Sequence, residues 1–344
     1  MIRVGLVGYG FAGRSFHSYL IGRVPDLQLA AVATRSAERR AQAERERGIA
    51  TYASLDELLE RGGVDLVVVA TPHDTHAPLA IQAMDAGRHV VVDKVMCLSG
   101  EEADAMIAAS QRNGVTLSVF HNRRWDWDFL TVKKVVEDGL VGAPYLVEVA
   151  VVRYRPARGW RADAQAGGGI LYDWGAHLID QGLQLIPGDV ESVTCDIQYR
   201  GWGAEIGSYA RLLLRFSSGV LYGVELGNLA RYDKPRWLVL GERGALVKHG
   251  LDPQEQAMLR GNIEAAVELP EHRARITTEL NGLSAELVVE SIRGDWTSYY
   301  RNVADALLGR AELAVKPEEV RRAIAVFDAA MRSAATGETV RVGR

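Results

Sequence analysis

The stretch Met1-Ile2-Arg3-Val4-Gly5-Leu6-Val7-Gly8-Tyr9-Gly10-Phe11-Ala12-Gly13 decides the fold. Ile2 to Val7 is a short apolar run that reads as a strand, and Phe11 to about Arg23 reads as a helix. Between them lies the pattern Gly-x-Gly-x-x-Gly, and each glycine answers a different need. Gly8 permits the tight turn out of the strand, Gly10 lets the backbone approach a pyrophosphate, and Gly13 lets helix and strand pack closely. The helix N-terminus adds free N–H groups and the positive end of its dipole. A glycine pattern alone is weak, but here it follows a predicted strand and opens a helix, the context of a dinucleotide-binding turn. Gly8, Gly10, Phe11, Ala12 and Gly13 are therefore expected to hold such a cofactor.

Working outward, Leu27–Ala33 reads as a second strand ending at Thr34-Arg35-Ser36. Sites that prefer NAD usually place an acid here for the ribose hydroxyls; this chain has none. Arg35 can stack on adenine or pair with a 2′-phosphate, and Thr34 and Ser36 can donate to it. NADP(H) is expected over NAD(H). Further apolar strands, Asp65–Ala70, His89–Val92 and Val115–Phe120, alternate with helices over His76–Ala86 and Ser99–Asn113. Continuous apolar strands alternating with helices mean a parallel sheet covered on both faces, a doubly wound Rossmann arrangement. Its ligand side is the carboxyl end of the strands. Thr71, Pro72 and His73, with His76 just beyond, follow one such end, and Asp93-Lys94 follows another; all are cofactor candidates. A lysine there can polarise a hydroxyl and share its proton, and Asp93 can orient it.

The pattern changes after Phe120. Trp125–Asp138 reads as a helix and Val147–Val152 as a strand, followed by a glycine-rich stretch and a helix over about Ile170–Leu185. From Val190 to about Val289 strands alternate with turn signals such as Ser217-Ser218-Gly219, and helices return at Trp296–Leu308 and Pro317–Ala335. The expected organisation is a Rossmann domain, 1–122, and an α+β domain, 123–344, with a large, mostly antiparallel open sheet. The length of 344 residues suits two domains. A net charge of −4 and the lack of a basic block give no reason to expect nucleic acid. Cys97 and Cys195 have neither metal-ligand spacing nor a disulfide framework, so no metal is expected. No apolar run is long enough to span a bilayer, and the first residues lack the form of a signal peptide. The expectation is a soluble cytoplasmic protein.

Gly167-Gly168-Gly169-Ile170-Leu171-Tyr172-Asp173-Trp174-Gly175-Ala176-His177 enters the helix of the second domain. Asp173 and His177 share one helix face, and Asp180 and Gln184 extend it. A polar stripe on an otherwise apolar helix needs partners or a cleft. Oxidising an alcohol needs a group to take the hydroxyl proton, and histidine titrates in the right range. The bland alternative is a capping Asp and a hydrogen-bonded core His.

Taken together, GYGFAG at 8–13, TPHDTHAPLA at 71–80, VVVDKV at 90–95 and GGGILYDWGAHLID at 167–180 resemble the Gfo/Idh/MocA oxidoreductases over essentially the whole length. VFHNRRWDWDFLTVKK at 119–134 and RYRP at 153–156 are most similar to the branch holding NADP-dependent scyllo-inositol dehydrogenases. The resemblance implies that Lys94 is the catalytic lysine and His177 the proton acceptor, with Asp173 binding substrate hydroxyls or tuning Lys94. It implies direct hydride transfer between nicotinamide and a secondary alcohol of a sugar or cyclitol, and a homodimer or homotetramer formed through the C-terminal sheet. Where the family reads Glu-Lys-Pro, this chain has Asp93-Lys94-Val95, which removes the proline ring and its easier access to a cis peptide. His121, Asn122, Arg123, Tyr154, Arg155, Trp160 and Arg161 are expected substrate contacts. A dinucleotide-binding regulator without activity, and a reductase of a non-sugar substrate, are the alternatives.

Overall fold

The structure is a computed structural model that describes residues 1–203 and 205–343. The chain divides into two compact units: residues 1–122 with 296–324, and residues 123–295 with those from 325 onward.

The first unit is built on six parallel strands: β1 (Ile2–Val7), β2 (Leu27–Ala33), β3 (Ala50–Tyr52), β4 (Leu66–Val69), β5 (His89–Val92) and β6 (Leu117–Val119). Their order is β3-β2-β1-β4-β5-β6. β4 is buried along its whole length, as a central strand covered on both faces must be. The strand order reverses between β1 and β4, which pair Val7 with Val69, so the switch point lies where Gly8 and Thr71 emerge.

Residues 296–324 belong to this unit, which corrects the expectation that 123–344 forms one domain. The cause is an aromatic helix face. Trp296, Tyr299 and Tyr300 are all buried. Trp296 stacks on Phe16 at 5.8 Å and Tyr299 meets Phe120 edge-on at 5.0 Å. The Tyr299 hydroxyl donates to Ser118 Oγ (3.0 Å), which donates to the Val315 carbonyl (3.0 Å).

The second unit carries nine strands: β7 (Pro144–Val152), β8 (Val190–Gln198), β9 (Tyr209–Phe216), β10 (Leu221–Gly227), β11 (Trp237–Gly241), β12 (Gly244–Lys248), β13 (Ala274–Leu280), β14 (Leu283–Val289) and β15 (Val340–Arg341). The order is β14-β13-β12-β11-β7-β10-β9-β8-β15, and within it β7 and β10 pair in parallel while their other neighbours run antiparallel. β9 alternates strictly: Ala210, Leu212, Leu214 and Phe216 are buried, while Arg211, Leu213 and Arg215 face out. The helix Ile170–Leu185 lies against this sheet so closely that a Cβ at Gly182 would sit 2.2 Å from the Tyr222 ring. The Tyr222 hydroxyl donates to the Leu178 carbonyl at 2.7 Å and locks the helix there. The helix predicted over 125–138 begins with a 3₁₀ turn, Asn122–Trp125, followed by an α-helix over Trp127–Glu137. Among the described residues no helix is long and apolar enough to cross a membrane.

Candidate functional site

The glycine turn has the shape its sequence implies. Gly8 has φ +97°, and a Cβ there would lie 2.3 Å from the Ala70 carbonyl oxygen. A Cβ at Gly13 would lie 2.0 Å from the Gly8 oxygen, so strand and helix touch backbone to backbone. At Gly10 a Cβ would meet, among the described residues, only Arg39 Nη1, at 3.6 Å. The two outer glycines are thus required by the protein itself, whereas Gly10 keeps open space that the protein does not fill. That space, on the opening turn of a helix whose first N–H groups lack intrahelical partners, fits a dinucleotide pyrophosphate. Phe11 is half exposed beside it, edge-on to Phe16 at 5.6 Å.

At the end of β2 the expected trio separates. Arg35 is exposed, and its side chain pairs with no described residue. The Ser36 hydroxyl accepts from the Arg39 backbone N–H (3.3 Å) and so caps the helix Ala37–Arg47. The Arg40 guanidinium donates to the Thr34 and Arg35 carbonyls at 2.6 and 2.9 Å and holds the loop. Arg39 is a cofactor candidate that sequence reasoning missed. Its distance from Gly10 depends on how the Ala37–Arg47 helix lies beside the turn, which no local motif encodes.

Around Lys94, the Asp93 carboxylate accepts the Lys94 backbone N–H at 2.8 Å. Val95 has not removed the cis geometry: the Lys94–Val95 peptide is cis. Burial pushes the Asp93 carboxyl up, but the neighbouring His17 first, then Lys94 and His76, outweigh it and hold the group well below the usual carboxylate range. His76, expected to contact the cofactor, is fully buried. Its Nδ1 lies 2.7 Å from the Val95 carbonyl and its Nε2 3.0 Å from the Thr71 carbonyl. The ring sits between the loops after β4 and β5, where a neutral imidazole donates to one of these two carbonyls, and that buried position replaces the expected role. Burial pushes its imidazole pKa down. His73 is buried beside it, edge-on at 5.5 Å, and Thr71 Oγ1 accepts from Thr75 Oγ1 at 2.7 Å. His121 and Asn122, just past β6, are both buried.

In the second unit the helix Ile170–Leu185 opens from Gly169 at φ +109°, where a Cβ would lie 2.1 Å from the Ile206 carbonyl oxygen. Asp173 accepts from Arg161 Nε at 3.2 Å, and Arg161 also covers the Trp160 ring at 4.6 Å. One turn on, His177 is buried with its ring 5.9 Å from Trp174, edge-on. The polar stripe then stops being a ligand face. Asp180 is buried and takes two hydrogen bonds from Arg124, at 2.7 and 2.9 Å. Arg123, expected to bind substrate, is buried and paired with Asp126 (3.2 Å) and Glu255 (2.6 Å), its guanidinium 4.5 Å over Trp174. It braces the helix, which corrects that expectation. Tyr154 has its ring face covered by Arg231 at 3.6 Å and packs edge-on against Trp202, while Arg155 is exposed. Arg153, which the sequence reading passed over, lies 5.1 Å from the Trp174 ring with Nε buried and unpaired among the described residues; burial pushes its pKa down. No group of three or more His, Cys, Asp or Glu side chains among the described residues is arranged to hold a metal.

Comparison with known proteins agrees with this geometry. Residues 2–121 match the Gfo/Idh/MocA oxidoreductase family, NAD-binding Rossmann fold, and residues 129–247 match the Gfo/Idh/MocA C-terminal domain. The scyllo-inositol 2-dehydrogenase (NADP(+)) IolW of Bacillus subtilis is 33% identical, covering 98% of this chain and 95% of its own. The uncharacterized oxidoreductase YdgJ of Escherichia coli is 35% identical, covering 97% of this chain and 96% of its own. The crystal structure of YvaA from Bacillus subtilis superposes with a TM-score of 0.91 at 30% identity, covering 100% of both chains. The glycine turn, the strand order and these end-to-end likenesses agree: the chain belongs to the Gfo/Idh/MocA family of oxidoreductases, with an NAD(P)-binding Rossmann domain.

Proposed function

We propose that the chain transfers hydride between NADP(H) and a secondary alcohol or ketone carbon of a sugar or cyclitol, with an inositol as the expected type. The observation that carries this reading is the likeness, over nearly all of both chains, to a protein named as an NADP-dependent scyllo-inositol 2-dehydrogenase. The end of β2 supports the choice of cofactor. It offers Arg35, whose guanidinium pairs with no described residue, Arg39 beside Gly10 and no acid to repel a 2′-phosphate.

When bound, the nicotinamide supplies the hydride acceptor. In the oxidation direction the substrate C–H bond gives up hydride and the O–H bond gives up a proton, leaving a ketone. Lys94 donates a hydrogen bond to that oxygen and steadies the negative charge developing on it. His177 accepts the proton. Asp173, held by Arg161, orients substrate hydroxyls. We further propose a homodimer or homotetramer formed through the outward face of the nine-stranded sheet, where Leu213 is 44% exposed. Light scattering during size-exclusion chromatography checks this, and a monomer at micromolar concentration contradicts it. The test of the functional reading is a panel of inositols and sugars offered with NADP+ and NAD+. It expects an inositol to be oxidised with NADP+ preferred, and a panel without turnover overturns it.

A further inference from the structure

Behind Lys94 lies a polar chain that the reaction as proposed does not use. His17 and Tyr300, 283 residues apart in sequence, are both 0% exposed, and His17 Nδ1 lies 2.6 Å from the Tyr300 hydroxyl. On the other side of the ring, His17 Nε2 faces Asp93 Oδ2 at 3.7 Å, close but too long for a hydrogen bond. The other Asp93 oxygen accepts the Lys94 backbone N–H at 2.8 Å. Phe120 packs on the imidazole at 4.4 Å, so these groups meet in apolar surroundings where each interaction counts for more than in water.

We propose that Tyr300 and His17 are positioning residues for Lys94: the Tyr300 hydroxyl fixes the tautomer of His17, and His17 fixes the Asp93 carboxylate that holds the Lys94 backbone. The inference rests on the proposed role of Lys94. The tautomer follows from the network. The Tyr300 hydroxyl can donate to Nδ1, and the Asp93 carboxylate opposite Nε2 selects that direction. The ring proton then sits on Nε2 and points at the Asp93 carboxylate. The opposite tautomer would turn a lone pair toward that negative charge. The charged or titratable neighbours of Asp93 include His17, Lys94, His76 and Tyr300. Tyr300 is fully buried, which suits a chain that holds a charge in place. It also gives a purpose to the return of residues 296–324 to the first unit, since that segment delivers Tyr300.

Two readouts on the full-length protein test this. With ¹⁵N-labelled histidine, the His17 signal is assigned by its loss in His17→Gln. Wild type is expected to show one tautomer with the proton on Nε2, and Tyr300→Phe, which removes one oxygen atom, is expected to lose that single state. A proton on Nδ1 in wild type, or an unchanged tautomer in Tyr300→Phe, overturns the proposal. With scyllo-inositol and NADP+, Tyr300→Phe and His17→Gln are expected to lower kcat about tenfold while KM for NADP+ stays within about twofold. The double variant His17→Gln/Asp93→Asn is expected to be no slower than Asp93→Asn alone. Unchanged kcat in the single variants, or losses that multiply in the double variant, overturns the chain. If wild type turns over no inositol, the functional reading fails, and the histidine spectra still decide the positioning chain.

Discussion

Replacing Gly10 by alanine should separate folding from cofactor binding. Gly10 does not have a positive φ, and among the described residues a Cβ there would touch only the end of the Arg39 side chain, at 3.6 Å. Folding therefore loses nothing, and the restricted unfolded chain favours the variant by about 0.4–1 kcal/mol. The added methyl occupies the space proposed for the pyrophosphate. Displacing one charge-assisted hydrogen bond costs about 1.5–3 kcal/mol, which is about a tenfold to hundredfold rise in Kd for NADPH. Gly13→Ala is the contrast. Its Cβ would lie 2.0 Å from the Gly8 oxygen, so backbone must move by ~1 Å, and the fold is destabilised by about 1–3 kcal/mol or more. The assay pairs scanning fluorimetry of the cofactor-free protein with NADPH titration. Gly10→Ala should melt at or slightly above wild type with weakened binding, and Gly13→Ala should melt lower. The reasoning is refuted if Gly10→Ala binds NADPH with wild-type Kd, or melts as early as Gly13→Ala.

Arg35→Ala should raise Kd for NADPH by about tenfold or more and leave Kd for NADH nearly unchanged; equal losses for both would remove its assigned role. Asp180→Ala leaves Arg124 buried without its bidentate partner, and urea unfolding should show a loss of about 3–5 kcal/mol; a loss below ~1 kcal/mol contradicts the structural reading of that pair. Glu46 is held down to about 2, first by its hydrogen bonds from Arg14 and against the smaller upward push of burial. A depressed folded-state carboxyl stabilises above the unfolded value and loses that contribution as pH falls through the folded one. Glu46→Gln should therefore be less stable than wild type at pH 7, with the gap closing between about pH 4.5 and pH 2; a gap that persists to pH 2 contradicts the assignment.

What the sequence made legible was whatever one element decides alone. The glycine turn was readable because Gly8 and Gly13 answer clashes with backbone a few residues or one strand away. The nine-stranded sheet was readable from the alternation in strands such as β9. β3 was not, because three residues carry no periodicity. His76 looked like a ligand contact because its partner, the Val95 carbonyl, lies 19 residues away on another loop. Arg123 looked free because Glu255 lies 132 residues on. Residues 296–324 looked like part of the second domain because order along the chain is a poor guide to which aromatic face a helix meets. His17 carried no signal at all until Tyr300 stood beside it.

The central claim is hydride transfer assisted by Lys94 and His177. The most direct test follows the absorbance of reduced nicotinamide with scyllo-inositol and NADP+ for wild type, Lys94→Ala and His177→Ala, each first shown to be folded and to bind NADPH. Wild type should form NADPH, and each variant should lose about a hundredfold or more of kcat while still binding the cofactor. Variants that keep wild-type kcat, or a wild-type protein that binds NADPH but oxidises no inositol, would contradict the account.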